Sequence, residues 1–175
     1  MNALRVPLVF DTSALFNFGH RDTLLPLLEM LKSEAVLCAP EAVVDELRPE
    51  RRLDYARFCR DHMTIRRAQA RSEDLAVLGK LSAELGPGEI EVLLLARDTG
   101  GTAILDDRKA RQVAEQLGVN VIGTLGLIAY GVEREWMTAG GAIQAVRQLR
   151  SNGFFLPRVD DGEHFDAYLG RLGRT

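Results

Sequence analysis

Val6-Pro7-Leu8-Val9-Phe10-Asp11 is a short apolar run that ends on a carboxylate. Its length, and the helical pattern that follows near Thr12–Phe18, mark it as a buried strand. Related events recur along the chain. The run Ala35-Val36-Leu37-Cys38-Ala39 leads into a helix pattern that carries Glu46. Gly86-Pro87-Gly88-Glu89 opens another helix, and Thr102-Ala103-Ile104-Leu105 runs into the pair Asp106-Asp107. In an open α/β sheet the carboxyl ends of the strands form one edge, and sites are built there. Carboxylates far apart in sequence can therefore meet in one pocket. Like charges gathered there raise one another's pKa unless a cation joins them. The pattern predicts a hard divalent metal on oxygen ligands, and metal-assisted chemistry on phosphates.

Outward from these blocks, strands and helices alternate. Strands are expected at 6–10, 35–39, 63–66, 102–105 and 119–122. Helices are expected near 22–32, after Pro40, at 50–61, from a Ser72 cap to Leu85, at 89–98, 108–117, 124–135, 139–150 and 161–172. Pro40 suits a first helical turn, and Gly118 a helix end. Alternation at this spacing predicts an α/β fold, with a five-stranded, mainly parallel sheet and helices on both faces. Residues 1–135 are read as the core and 136–175 as a helical extension of the same domain.

The chain has 175 residues, 46% hydrophobic and 27% charged, the composition of one ordinary globular domain. Such a length buries roughly two-thirds of the surface its unfolded chain exposes. No apolar run reaches the roughly 20 residues of a membrane span. No secretory leader is expected, because charged residues follow the N-terminus closely. Cys38 and Cys59 lie in apolar contexts without metal-ligand spacing. They read as buried reduced thiols, which implies a cytoplasmic protein.

The net charge of −3 excludes a uniformly cationic coat. Between Arg48 and Arg71, however, eight arginines (48, 51, 52, 57, 60, 66, 67, 71) face three acids (Glu50, Asp54, Asp61). This stretch is either a solvated helix face or a phosphate-binding rim, with Arg48, Arg51 and Arg52 the candidate RNA contacts. The three histidines share no ligand spacing and read as surface residues.

Five blocks in order resemble the PIN-domain ribonucleases, in particular the VapC-like toxins of toxin–antitoxin pairs. They are Val9-Phe10-Asp11-Thr12-Ser13-Ala14-Leu15, Pro40-Glu41-Ala42-Val43-Val44-Asp45-Glu46-Leu47, and Gly88-Glu89-Ile90-Glu91-Val92-Leu93-Leu94-Leu95-Ala96. Ile104-Leu105-Asp106-Asp107-Arg108-Lys109-Ala110-Arg111 and Leu117-Gly118-Val119-Asn120-Val121-Ile122-Gly123-Thr124-Leu125-Gly126 complete the series. The resemblance implies a PIN fold and one or two Mg²⁺ or Mn²⁺ ions cleaving single-stranded regions of RNA. It also implies an antitoxin partner and a homodimer.

Carried onto this chain, the family's carboxylates fall on Asp11, Glu46, Glu89 and Asp106. Members usually carry Asp where Glu89 stands. Asp107 is the alternative to Asp106. The preference for Asp106 rests on Asp107 standing directly before a helix, where it would satisfy free N–H groups. Ser13, or Thr12, is near enough to support a carboxylate or to cap the following helix. Glu89 and Glu91 are about 200° apart on a helix, so only one faces the pocket. Arg111 is either a supporting cation or an i,i+4 ion-pair partner of Asp107. The rival reading is a PIN-like protein- or RNA-binding module of weak activity. A phosphoryl-accepting Asp11 fits poorly, since Ser13 stands where such phosphatases carry a second acid.

Overall fold

The computed structural model describes residues 6–19, 24–47, 53–69 and 84–151. Its apolar runs form β1 (Pro7–Phe10), β2 (Val36–Pro40), β3 (Thr64–Arg66), β4 (Thr102–Ile104) and β5 (Asn120–Ile122). Every pairing is parallel, and the order across the sheet is β3-β2-β1-β4-β5. Central β1 ends on fully buried Val9 and Phe10, whereas edge strands β3 and β5 carry exposed residues. The chain winds outward from β1 to β2 and β3, then returns to the other side of β1 for β4 and β5. Right-handed crossovers in opposite directions put the connecting helices on opposite faces. That reversal lies between β1 and β4, where Phe10 is in register with Ile104. A crevice at the carboxyl ends of these two strands is the expected position for a site.

The helices among the described residues are α1 (Thr12–Gly19), α2 (Leu25–Glu34), α3 (Glu41–Glu46), α4 (Leu53–His62), α5 (Pro87–Thr99), α6 (Arg108–Gln116), α7 (Thr124–Glu133) and α8 (Ala139–Ser151). Helix α5 buries Val92, Leu93, Leu94, Leu95 and Ala96 in succession, since it packs against β1, β2 and β4 and also touches α3. A helix enclosed on most sides has no polar face to alternate with. Phe10 and Phe18 meet edge to face at 5.7 Å beneath α1. Helix α8 packs on α7 and buries Ala142, Ala145, Val146 and Leu149. Trp136, in the turn between them, is half-buried edge-on to Tyr130 at 5.6 Å.

Strand and helix positions agree with the sequence to within a few residues. Pro40 is the last residue of β2 and the N-cap of α3, not its first helical residue. Helix α5 begins earlier than expected, because Gly86 takes the N-cap and Pro87 the first helical position. Cys38 and Cys59 are buried and unpaired, as expected. Burial raises both thiol pKa values, that of Cys59 to about 12. Among the described residues no helix is long and apolar enough to cross a membrane. Residues 72–83 of the expected helix 72–85, the expected helix 161–172, His20, His164, Phe154, Phe155, Arg48, Arg51, Arg52 and Arg71 lie outside the described residues.

Glu91 holds two parts of this framework together. Pro40 has no side-chain oxygen to cap α3, and Glu91 supplies the acceptor from α5. Its Oε2 accepts from Ala42 N at 2.7 Å, and its Oε1 accepts from Ala68 N, just past β3, at 3.0 Å. Among the described residues the partners of this carboxylate are backbone amides. Glu91→Ala leaves both amides without it and is expected to cost about 1–3 kcal/mol in urea denaturation. Unchanged stability would mean that water replaces the carboxylate without penalty.

Candidate active site

Asp11 ends β1 and starts α1. Its N–H donates to Ile104 O at 3.2 Å, continuing the sheet, and its carbonyl accepts from Leu15 N at 2.9 Å, opening the helix. The side chain, 4% exposed, accepts at Oδ2 from Ser13 Oγ (2.6 Å) and Ser13 N (3.1 Å). It is therefore the N-cap of α1. Burial raises its pKa, the bonds from Ser13 oppose the rise, and the charge of Glu46 adds to it. Ser13 thus holds a strand-end carboxylate, as its sequence position allowed.

Glu46 sits at the C-terminal end of α3, where the helix dipole disfavours an anion. Two donors from other elements compensate. Thr12 Oγ1 donates to Oε2 at 2.6 Å, and Gly88 N donates to Oε1 at 2.9 Å. A side chain at position 88 would put its Cβ 2.6 Å from that oxygen. Glycine is what lets the carboxylate approach the start of α5. One residue further on, Glu89 reaches back from the first turn so that its Oε2 accepts from Gly86 N at 2.8 Å. This is the carboxylate half of a capping box; Gly86 has no side chain to reciprocate. Burial raises the Glu89 pKa, the Gly86 bond opposes it, and the charges of Asp11, Asp107 and Glu46 raise it further.

The acidic pair divides. Asp107 caps α6, its Oδ1 accepting from Lys109 N (2.8 Å) and Ala110 N (2.9 Å). Asp106 turns the other way, towards the start of α7. Its Oδ1 accepts from Thr124 N at 2.8 Å, and its Oδ2 from Asn17 Nδ2 at 2.9 Å and from Thr124 Oγ1. Arg111 approaches the same place: a Cβ at Gly123 would lie 2.9 Å from Asp106 Oδ1 and 3.0 Å from Arg111 Nη1. An Arg111–Asp107 ion pair is not among those of the described residues.

Asp11, Glu46, Glu89 and Asp107 are thus electrically in contact, and Asp106 adjoins them. Among the described residues no three His, Cys, Asp or Glu side chains converge closely enough to hold a metal ion as they stand. The donor set still fits a hard divalent cation: it is all carboxylate, and neighbouring charge adds to the raised pKa of Asp11 and Glu89. Asp45 and the histidine His62 stand apart. Asp45 is exposed, and His62 Nδ1 lies 2.8 Å from Glu29 Oε1 and 2.9 Å from Lys32 Nζ.

Sequence reasoning missed Gly88, Asn17, Thr124 and Gly123. The role of the two glycines depends on a carboxylate brought from another element. Asn17 did leave a signal, a lone amide inside Phe16-Asn17-Phe18 on an otherwise apolar helix.

Two predictions follow from this geometry. A carboxyl whose folded pKa lies above its ordinary value binds its proton more tightly when folded. Its contribution to stability is therefore lost as pH rises from that value, 3.8 for Asp11, through the raised one. Asp11→Asn keeps an N-cap and removes the titration. Calorimetry in EDTA from about pH 4 to 8 should show the variant gaining stability relative to wild type as pH rises, then levelling. A constant or shrinking difference would contradict the sign. Gly88→Ala gains about 1 kcal/mol in helix propensity. Displacing Glu46 from its amide costs about 1–3 kcal/mol. A net loss in urea denaturation is expected, and a net gain would show that Glu46 moves aside freely.

A family model described as a PIN domain matches residues 7–159. No curated protein matches the chain. With a match over most of its length and an all-parallel sheet that gathers carboxylates at one edge, the chain belongs to the PIN-domain family, whose members are in general nucleases.

Proposed function

We propose that this protein is a divalent-metal-dependent endoribonuclease that hydrolyses phosphodiester bonds in single-stranded regions of RNA, as the toxin of a toxin–antitoxin pair. The observation that carries the reading is the gathering of Asp11, Glu46 and Glu89 at the carboxyl edge of the sheet, where Glu46 accepts from the residue after Asp11 and from the residue before Glu89. One or two Mg²⁺ or Mn²⁺ ions would be held by Asp11, Glu46, Glu89 and a carboxylate of the Asp106–Asp107 pair. When bound, the metal supplies an activated nucleophile and stabilises charge developing at phosphorus.

The chain's own residues prepare the site. Ser13 and Thr12 hold Asp11 and Glu46 by their hydroxyls, and the bonds from Ser13 favour the ionised form of Asp11. Burial and the charges of Asp11, Asp107 and Glu46 push Glu89 towards protonation when no cation is present. An acidic pocket repels a phosphodiester, so substrate enters only once that charge is offset. Arg48, Arg51 and Arg52 are the proposed contacts to RNA phosphates, an antitoxin is the proposed inhibitor, and a cytoplasmic homodimer the proposed assembly. The second reading is a PIN-like protein- or RNA-binding module of weak activity.

Purified protein incubated with mixed single-stranded RNA in Mn²⁺, Mg²⁺ or EDTA separates the two. Cleavage is expected with metal only, and Asp11→Asn should lower it on the order of 100-fold or more while the fold persists. Unchanged cleavage by that variant would overturn the assignment. Absence of both cleavage and metal binding in wild type would leave the binding module.

A further inference from the structure

Thr124 is fully buried and is, with Asp11, one of two buried polar or charged residues in the described part of the chain. It is the first residue of α7, and Gly123 before it has no side chain to cap that helix. Asp106 performs the capping from the end of β4, accepting from Thr124 N at 2.8 Å. Proton order in the cluster is fixed. Thr124 has one hydroxyl hydrogen, which goes to Asp106 Oδ2, so its oxygen accepts from Asn17 Nδ2 at 3.1 Å. Asn17 Nδ2 also donates to Asp106 Oδ2 at 2.9 Å. Three elements with no covalent proximity, α1, the β4–α6 connection and α7, meet at one carboxylate. Its oxygens are turned to protein donors, whereas Asp107 Oδ2 makes no hydrogen bond among the described residues.

We propose that Asp106, Asn17 and Thr124 form a positioning joint that locks the residue after β4, so that Asp107, rather than Asp106, is presented to the other carboxylates. This deepens the nuclease reading above and rests on it. Asn17 lies six residues after Asp11 on the helix that Asp11 caps, so the joint also ties the direction of α1 to that of the acidic pair. Gly123 is required beside it, because a Cβ there would lie 2.9 Å from Asp106 Oδ1. The exposure of Asp107 and the partial burial of Asp106 agree with this division of labour.

Mn²⁺ titration calorimetry on the full chain, with a thermal midpoint for every variant, tests the joint. Asp107→Asn should abolish binding. Asp106→Asn and Asn17→Ala should each weaken it about tenfold, as loss of a supporting hydrogen bond does. The two combined should be no worse than either alone, because both break one network. Thr124→Ser, which keeps the hydroxyl, should match wild type; Thr124→Val, which removes it, should weaken binding as Asn17→Ala does and stands in should that variant fail to fold. Loss of all binding in a folded Asp106→Asn, with Asn17→Ala unaffected, would overturn the proposal by making Asp106 a direct ligand. If wild type binds no Mn²⁺, the nuclease reading fails separately. The joint is then judged by thermal midpoints alone: non-additive losses support it and additive losses sink it.

Discussion

Negative charge gathered at one sheet edge must be held there without a cation while the chain folds, and backbone N–H groups at helix starts do this. Asp11 caps α1, Asp107 caps α6, Asp106 accepts from the first N–H of α7, and Glu89 and Glu46 accept from Gly86 and Gly88 at the start of α5. A parallel sheet makes this available, because each helix that follows a strand begins at the carboxyl edge with unsatisfied amides and a positive dipole end. One geometry therefore supplies both the acids and their hydrogen-bond donors. The donors do not cancel the repulsion, since burial and neighbouring charge still raise the pKa of Asp11 and Glu89. What remains is the electrostatic demand that a divalent cation would meet.

Much of the fold was legible because its signal is local. Runs such as 6–10 and 102–105 are too short and too apolar for helices, and Gly118 and Gly100 end theirs in the left-handed conformation that glycine tolerates. The order of strands across the sheet was not legible, since nothing in 6–10 says that 102–104 pairs beside it. Yet that order brings Asp11 next to the residues after β4. Of the site, the acids were visible, whereas their partners were not. Nothing in the sequence around Gly88 or Gly123 shows that each leaves room for a carboxylate from another element, Glu46 or Asp106. Ser13 was readable because its partner is two residues away. Asn17 was not, because its partners are Asp106 and Thr124.

Adjacent acids in a site normally compete, since successive side chains on an extended segment point apart. Asp106 and Asp107 use that divergence. The first turns to α7 and the second to α6, so two helices that leave the same edge are capped by consecutive residues. The sequence argument that Asp107 caps a helix was sound, but capping and facing the site are compatible. Both capping bonds fall on one oxygen of Asp107, and its charge still reaches Glu89.

The choice between Asp and Glu across the site follows from reach. Asp11 and Asp107 serve amides two or three residues along their own helices, and Asp106 serves the start of α7, which lies directly beside it. Glu stands where the carboxylate must travel: Glu46 from α3 to α5, Glu91 from α5 to α3 and to Ala68, and Glu89 back over a full turn to Gly86. The resemblance led one to expect Asp at position 89. Here the N-cap is a glycine without a side chain and the next residue is a proline without an N–H, so the start of α5 has few ways to satisfy itself. The extra methylene of glutamate lets one residue close that helix start while its charge stays coupled to Asp11, Asp107 and Glu46. The longer side chain is thus a consequence of the Gly86-Pro87-Gly88 entry, which in turn is required for Glu46 to approach within 2.9 Å of Gly88 N.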